Sequence, residues 1–150
     1  MDKIDKGILT QLQKDAKQNT KEISNKVGLS VTPTYERIKK LEQQKIIKSY
    51  VALLDREKIG KQVIVYCQIT LSKHQKNLMV NFEKEILPFP EIMECHYVSG
   101  NFDYLLKVVV NDVNEFHQFI NDKLSVVEGI STIQSSFVMK SLKETTAFEL

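Results

Sequence analysis

Chemistry-bearing motifs are scarce in this 150-residue chain. Its two cysteines, Cys67 and Cys95, lie far apart, each inside an apolar-rich stretch. Buried free thiols in a reducing cytoplasm are therefore expected, and a disulfide framework is not. The three histidines, His74, His96 and His117, have no metal-ligand spacing, and the chain lacks Cys-x-x-Cys, a phosphate loop and a nucleophile elbow. Those absences leave an enzyme, a metal site and a cofactor without support. No apolar run approaches the roughly 18 residues that cross a bilayer. The opening MDKIDKGIL carries charge where a secretory signal holds its apolar core, so neither membrane nor export is expected.

What is present is an uneven spread of charge. The net charge is only +2, yet residues 1–50 hold 11 of the 21 Lys/Arg and 6 of the 19 Asp/Glu, leaving residues 51–150 acidic on balance. A basic first third joined to an acidic remainder implies that only the first third meets a polyanion. Apolar residues at 42% suffice for one or two small cores.

The first third reads as three helices. Ile4, Ile8, Leu9 and Leu12 follow helical spacing behind a possible Asp2 cap. A second helix starts near Thr20, capped by Asn19 or Thr20, with Glu22 placed for a capping box. Its apolar side is Ile23 and Val27, continued by Leu29 after the Gly28 stop. After the tight turn Gly28-Leu29-Ser30 a third helix begins, tolerating Pro33 in its first turn. Val31, Tyr35, Ile38 and Leu41 form its expected inner stripe, while Thr32, Glu36, Lys39, Lys40 and Gln43 face outward. Two helices joined by such a turn present the second to a DNA major groove. A helix packed for structure alone can show the same polar face.

From Lys45 onward the texture changes. Tyr50 to Leu54 suggests a short strand and Asp55 to Gly60 a turn, which divides the chain into a helical domain at 1–48, a linker strand and hinge at 49–61, and a second domain at 62–150. In the latter, Val63, Val65, Cys67, Ile69 and Leu71 alternate with Ile64, Tyr66, Gln68 and Thr70, which is strand periodicity. Leu78, Phe82, Ile86 and Leu87 predict a helix ended by Pro88 and Pro90. Strands follow at Ile92 to Val98 and Tyr104 to Val110, then a helix lined by Val113, Phe116, Phe119, Ile120 and Leu124, then a final strand from Ile130 to Leu142. The order is βαββαβ, and the expected class is α+β. Two helices cover one sheet face only, so Ile64 and Tyr66 are expected to lie exposed on a face that pairs with a second copy.

Several ordered fragments extend this reading. Asp2-x-x-Asp5-x-x-Ile8-Leu9 opens the chain, and Val27-Gly28-Leu29-Ser30 precedes Glu36-Arg37-Ile38-x-x-Leu41-Glu42. Ile47-x-x-Tyr50-x-Ala52-x-Leu54-Asp55 follows, then Cys95-x-x-Val98-Ser99-Gly100-x-x-Asp103-Tyr104 and Gly129-Ile130. Together they resemble the leucine-responsive regulatory protein/AsnC (feast/famine) family of transcription regulators along nearly the whole chain. The resemblance implies an N-terminal (winged) helix-turn-helix domain and a C-terminal βαββαβ, ferredoxin-like effector and oligomerisation domain. It implies double-stranded DNA as partner, a homodimer assembling to an octamer, an amino-acid effector bound between dimers, and a cytoplasmic, nucleoid-associated protein. An amino-acid-sensing adaptor or oligomerisation module without DNA binding is the alternative.

The DNA-contact candidates are Thr32 and Lys39 at base edges, with Thr34 borderline by periodicity, and Ser30, Arg37 and Lys40 at phosphates. Arg37 can instead pair with a neighbouring carboxylate. The resemblance assigns Tyr97, Ser99, Gly100, Asp103, Val113, Ser135, Ser136 and Val138 to the effector pocket. A free amino acid needs an acceptor for its ammonium, which Asp103 can supply, and N–H donors for its carboxylate, which the Gly100 turn can expose. The same residues also suit an ordinary hairpin turn. Three positions depart from the family pattern. Lys45 replaces a common Gly, which would cost about 1 kcal/mol in a left-handed conformation. Ser24 replaces Ala and Lys17 a common Arg.

Overall fold

Local capping decides where the first helices begin. The computed structural model describes residues 1–73 and 75–150. Helix α1, Lys3–Lys14, starts behind Asp2, whose carboxylate accepts the Asp5 N–H at 2.8 Å while the Asp5 carboxylate accepts the Asp2 N–H at 3.1 Å. Helix α2, Thr20–Val27, repeats the device with Asn19 and Glu22, at 3.0 and 2.8 Å. Each reciprocal box satisfies two N–H groups that a helix start otherwise leaves unpaired. Gly28, left-handed at φ 70°, ends α2, and α3, Val31–Gln43, begins behind Ser30.

These helices bury Ile8, Leu9, Ile23, Ile38 and Leu41, with Ile4, Leu12, Val27 and Ile47 packed around them. One expectation for α3 fails. Val31 and Tyr35 are exposed, and Thr34 takes the inner position. The α3 surface nearest its neighbours is the Thr34-Ile38-Leu41 row, and Tyr35 stands one residue farther round the helix. Thr34 tolerates burial because its hydroxyl donates to the Ser30 carbonyl at 2.9 Å. Ser24, also buried, satisfies its hydroxyl in the same way on Lys21 O at 2.8 Å. Lys45 adopts φ 57°, the left-handed conformation for which glycine is suited.

The chain forms two compact units, Met1–Leu53 with Leu142–Leu150, and Leu54–Ser141. The last nine residues, assigned by the sequence to the second domain, thus pack with the first unit. There the Gln13 side-chain amide exchanges two hydrogen bonds with the Phe148 backbone, at 3.0 and 2.6 Å. The strand expected over Tyr50 to Leu54 does not form among the described residues, and Tyr50, Val51, Leu53 and Leu54 are exposed. An extended segment becomes a strand only when another backbone pairs with it, and this one has no such neighbour among the described residues.

The second unit is βαββαβ: β1 Val63–Leu71, α4 Lys76–Ile86, β2 Ile92–Tyr97, β3 Tyr104–Val110, α5 Val113–Gln118 and β4 Ile130–Phe137. A π-helical turn, Phe119–Leu124, continues α5. The strands pair antiparallel in the order β2-β3-β1-β4, with Cys67 opposite Leu106 on one side and Ser135 on the other. One face is the core. Val65, Cys67, Ile69 and Leu71 of β1 meet Leu106, Val108 and Val110 of β3, covered by Phe82 and Ile86 of α4 and by Phe116, Phe119 and Leu124. Leu87, expected on the α4 core face, lies beyond the end of that helix and is exposed. Strand β4 stops at Phe137, five residues early, because β1 begins at Val63 and leaves later residues little to pair with. On the other face, Ile64 is only 5% exposed, against expectation, while Tyr66 is half-buried.

Candidate nucleic-acid interface and effector site

Helix α3 offers its N-terminus and its outer face. Ser30 and Thr32 are exposed, and the Ser30 hydroxyl makes no capping bond, so it is available to an external acceptor. A helix N-terminus with free N–H groups favours phosphate oxygens. Lys39 and Lys40 project from the same helix and are exposed. Thr34 does not belong with them. At 0% exposure, its hydroxyl already spent on Ser30 O, it cannot reach a base.

The two flanks of α3 are occupied by carboxylates. On one, the Arg37 guanidinium lies 2.6 Å from Asp2 Oδ2 and 2.7 Å from Asp5 Oδ1, beside a groove of about 490 Å³ lined by Met1, Pro33, Glu36 and Lys40. The carboxylate-pairing role considered from sequence is the one adopted in this chain. The hydrogen bonds that Arg37 donates to the Asp5 and then the Asp2 carboxylate hold it more firmly protonated than usual. The Asp2 carboxyl is held below its ordinary value, first by the Asp5 N–H and then by Arg37. On the other flank, Lys39 Nζ lies 2.8 Å from Glu42 Oε2 and 5.7 Å from the centre of the Tyr35 ring. The Tyr50 hydroxyl donates to Glu42 Oε1 at 3.0 Å. Lys40 makes no ion pair among the described residues. Periodicity placed Tyr35 in the core, but at 51% exposure it is a surface ring beside Lys39. The signal was there: Thr34, Ile38 and Leu41 form an equally regular row whose one polar member is small.

The expected effector residues do not converge within one chain. Tyr97, Ser99, Gly100 and Asp103 gather at the β2–β3 turn, where Gly100 takes φ 144°. Asp103 is buried, and its carboxylate accepts the Leu71 N–H at 2.7 Å. Its own N–H donates to Ile69 O at 2.8 Å, and its carbonyl accepts the Val98 N–H at 2.9 Å. Asp103 is therefore a pin joining the turn to the end of β1. Val113 starts α5 beyond the opposite end of β3, and the Val138 N–H donates to Ile64 O at the start of β1. Seven residues of strand, roughly 20 Å, separate Ile64 from Leu71. Ser135 places its hydroxyl 3.6 Å from Cys67 Sγ, whereas Ser136 pairs with Tyr66 on the other face.

Other chemistry is sparse. Burial pushes the Cys67 and Cys95 thiols up, as suits inert sulfur. Among the described residues no cluster of His, Cys, Asp and Glu could hold a metal. His96 contacts Glu94 at 3.5 Å, and His74 lies outside the described residues. No helix among the described residues is long and apolar enough to cross a membrane.

Comparison with known proteins gives a consistent result. Residues 1–48 match the family model for winged helix-turn-helix DNA-binding, and residues 64–148 match that for the Lrp/AsnC ligand binding domain. The leucine-responsive regulatory protein of Klebsiella pneumoniae is 37% identical over 144 residues, spanning 96% of this chain and 88% of that one. A transcriptional regulator from Neisseria meningitidis, solved in complex with L-Met, superimposes with a TM-score of 0.95 at 33% identity, covering 99% of this chain and 96% of that one. An AsnC family transcriptional regulator from Agrobacterium tumefaciens gives 0.94 at 36% identity, covering 99% and 97%.

Proposed function

This chain belongs to the Lrp/AsnC family of DNA-binding transcriptional regulators, and from that premise we propose how its residues carry out the task. The α3 N-terminus and outer face enter the major groove. Thr32 and Lys39 meet base edges, while Ser30 and Lys40 meet phosphates and fix the register. Arg37 serves first to hold α3 against the start of α1. The observation that carries this reading is the exposed, uncapped start of α3 followed by Lys39 and Lys40 on a domain that is basic overall. Such a protein works on the nucleoid in the cytoplasm, by binding and not by catalysis.

The second unit binds an amino acid between copies of the chain. The separation of the Gly100 turn from Val113 and Val138 supports this, since neither group alone surrounds a ligand. In this reading dimers assemble further, to an octamer, with the pocket formed between dimers. The effector changes DNA occupancy only if it prefers one assembly over another.

The test measures affinity for a duplex enriched by the protein from a random-sequence pool, across salt concentrations and with each of the twenty amino acids. Affinity is expected to fall steeply as salt rises, by about a thousandfold between 50 and 200 mM if six or more phosphates are contacted. Lys40→Ala is expected to reduce the slope. One amino acid should shift both the affinity and the sedimentation profile. A protein that enriches no sequence and ignores duplex DNA at low salt refutes the reading.

A further inference from the structure

The ordered chain Tyr35–Lys39–Glu42–Tyr50 on one flank of α3 has more structure than surface charge requires. An exposed Lys–Glu pair three residues apart on a helix is ordinarily worth little, and both side chains wander. Here the pair has a third member from outside the helix. Glu42 has both oxygens engaged, Oε2 by Lys39 at 2.8 Å and Oε1 by the Tyr50 hydroxyl at 3.0 Å. Tyr50, Glu42, Lys39 and Tyr35 also line one groove of about 240 Å³, closed below by Leu12, Ile23 and Ile38. The ammonium is thus bracketed between the Tyr35 ring and a carboxylate whose own position is set by tertiary structure.

We infer that Tyr50, acting through Glu42, is a positioning residue that fixes the Lys39 ammonium for sequence discrimination by α3. The inference rests on the proposed approach of Lys39 to base edges. A free lysine side chain samples many rotamers, so an untethered ammonium finds the nearest phosphate on any sequence. One held at a fixed point favours the base edge that places an acceptor there. Glu42 adds to this bias, because its charge repels phosphates when Lys39 is not in place. The donor is durable. Desolvation first, and Glu42 second, push the Tyr50 hydroxyl up to about 12, so it stays protonated at neutral pH.

The experiment uses the full-length protein, the duplex that it enriches from a random pool, and an unrelated duplex of equal length. The readout is the ratio of the two affinities. Tyr50→Phe keeps the ring and removes the donor; Glu42→Gln keeps the shape and removes the charge. Each is expected to lower the ratio about tenfold, the scale of one lost base contact, with Glu42→Gln also raising affinity for the unrelated duplex. In a Lys39→Ala background Tyr50→Phe should not lower the ratio further, since it acts through that ammonium. Circular dichroism and thermal melting confirm folding, and Tyr50→Phe carries the test if Glu42→Gln fails it. An unchanged ratio in Tyr50→Phe overturns the inference, as does a drop of equal size without Lys39. If the wild-type protein enriches no sequence, the DNA-binding reading falls and the inference falls with it.

Discussion

The two units reach stability by different routes. Among the described residues the front unit buries a core of five apolar side chains and adds two buried hydroxyls, Ser24 and Thr34. The rear unit buries fourteen residues in one cluster against a four-stranded sheet. A small helical unit has too little apolar area to be indifferent to its helix ends, so paired capping boxes and the Arg37–Asp2–Asp5 cluster matter there. The rear unit has apolar surface in reserve and relies on packing. Polar devices therefore govern the helix-turn-helix unit, and bulk burial governs the unit that matches the ligand binding domain.

This contrast can be broken or sharpened. The largest effect is expected from Phe82→Ala. It removes a fully buried ring whose centre lies 4.6 Å from that of the tilted Tyr104 ring and should cost the rear unit about 3–5 kcal/mol, read as a lower urea midpoint in the strand signal. Next, Asn19→Ala opens the α2 capping box and should cost the front unit about 1 kcal/mol, read from the helical signal with the rear transition unmoved. Lys45→Gly should gain up to about 1 kcal/mol by relieving the left-handed backbone, raising the front unit's melting temperature by a few degrees. An equal gain in the rear unit would show that the two units do not respond separately.

The smallest effect concerns pH. The Asp2 carboxyl is held below its ordinary value of 3.8, mainly by the Asp5 N–H and then by Arg37. A lowered folded-state value stabilises the fold above 3.8, and that contribution is lost as pH falls through the folded value. Urea midpoints of the front unit should therefore drop more steeply between about pH 5 and pH 3 in the wild-type chain than in Asp2→Asn. Parallel curves would assign Asp2 no part in acid stability.

Much of the fold was legible because its signals are local. Asp2, Asn19 and Glu22 name their helix starts through bonds three residues long, and β3 begins and ends at Tyr104 and Val110 as alternation predicts. Errors arose where neighbours decide. Thr34 and Tyr35 are adjacent, and only the placement of α1 and α2 determines which turns inward. Tyr50 to Leu54 has the composition of a strand, but composition cannot supply the partner backbone. The site was legible as residue types and not as commitments. Nothing local reveals that Asp103 spends its carboxylate on Leu71, or that Arg37 spends its charge on Asp2 and Asp5.

By itself the amino-acid order determined the helix starts, the strand alternation, the split of charge and the motifs that mark the family, since each depends on residues a few positions apart. Tertiary structure alone decided which side chains remain free to bind. Asp103 and Arg37 are engaged by partners 32 to 35 residues away in sequence, and only folding brings those partners within 3 Å.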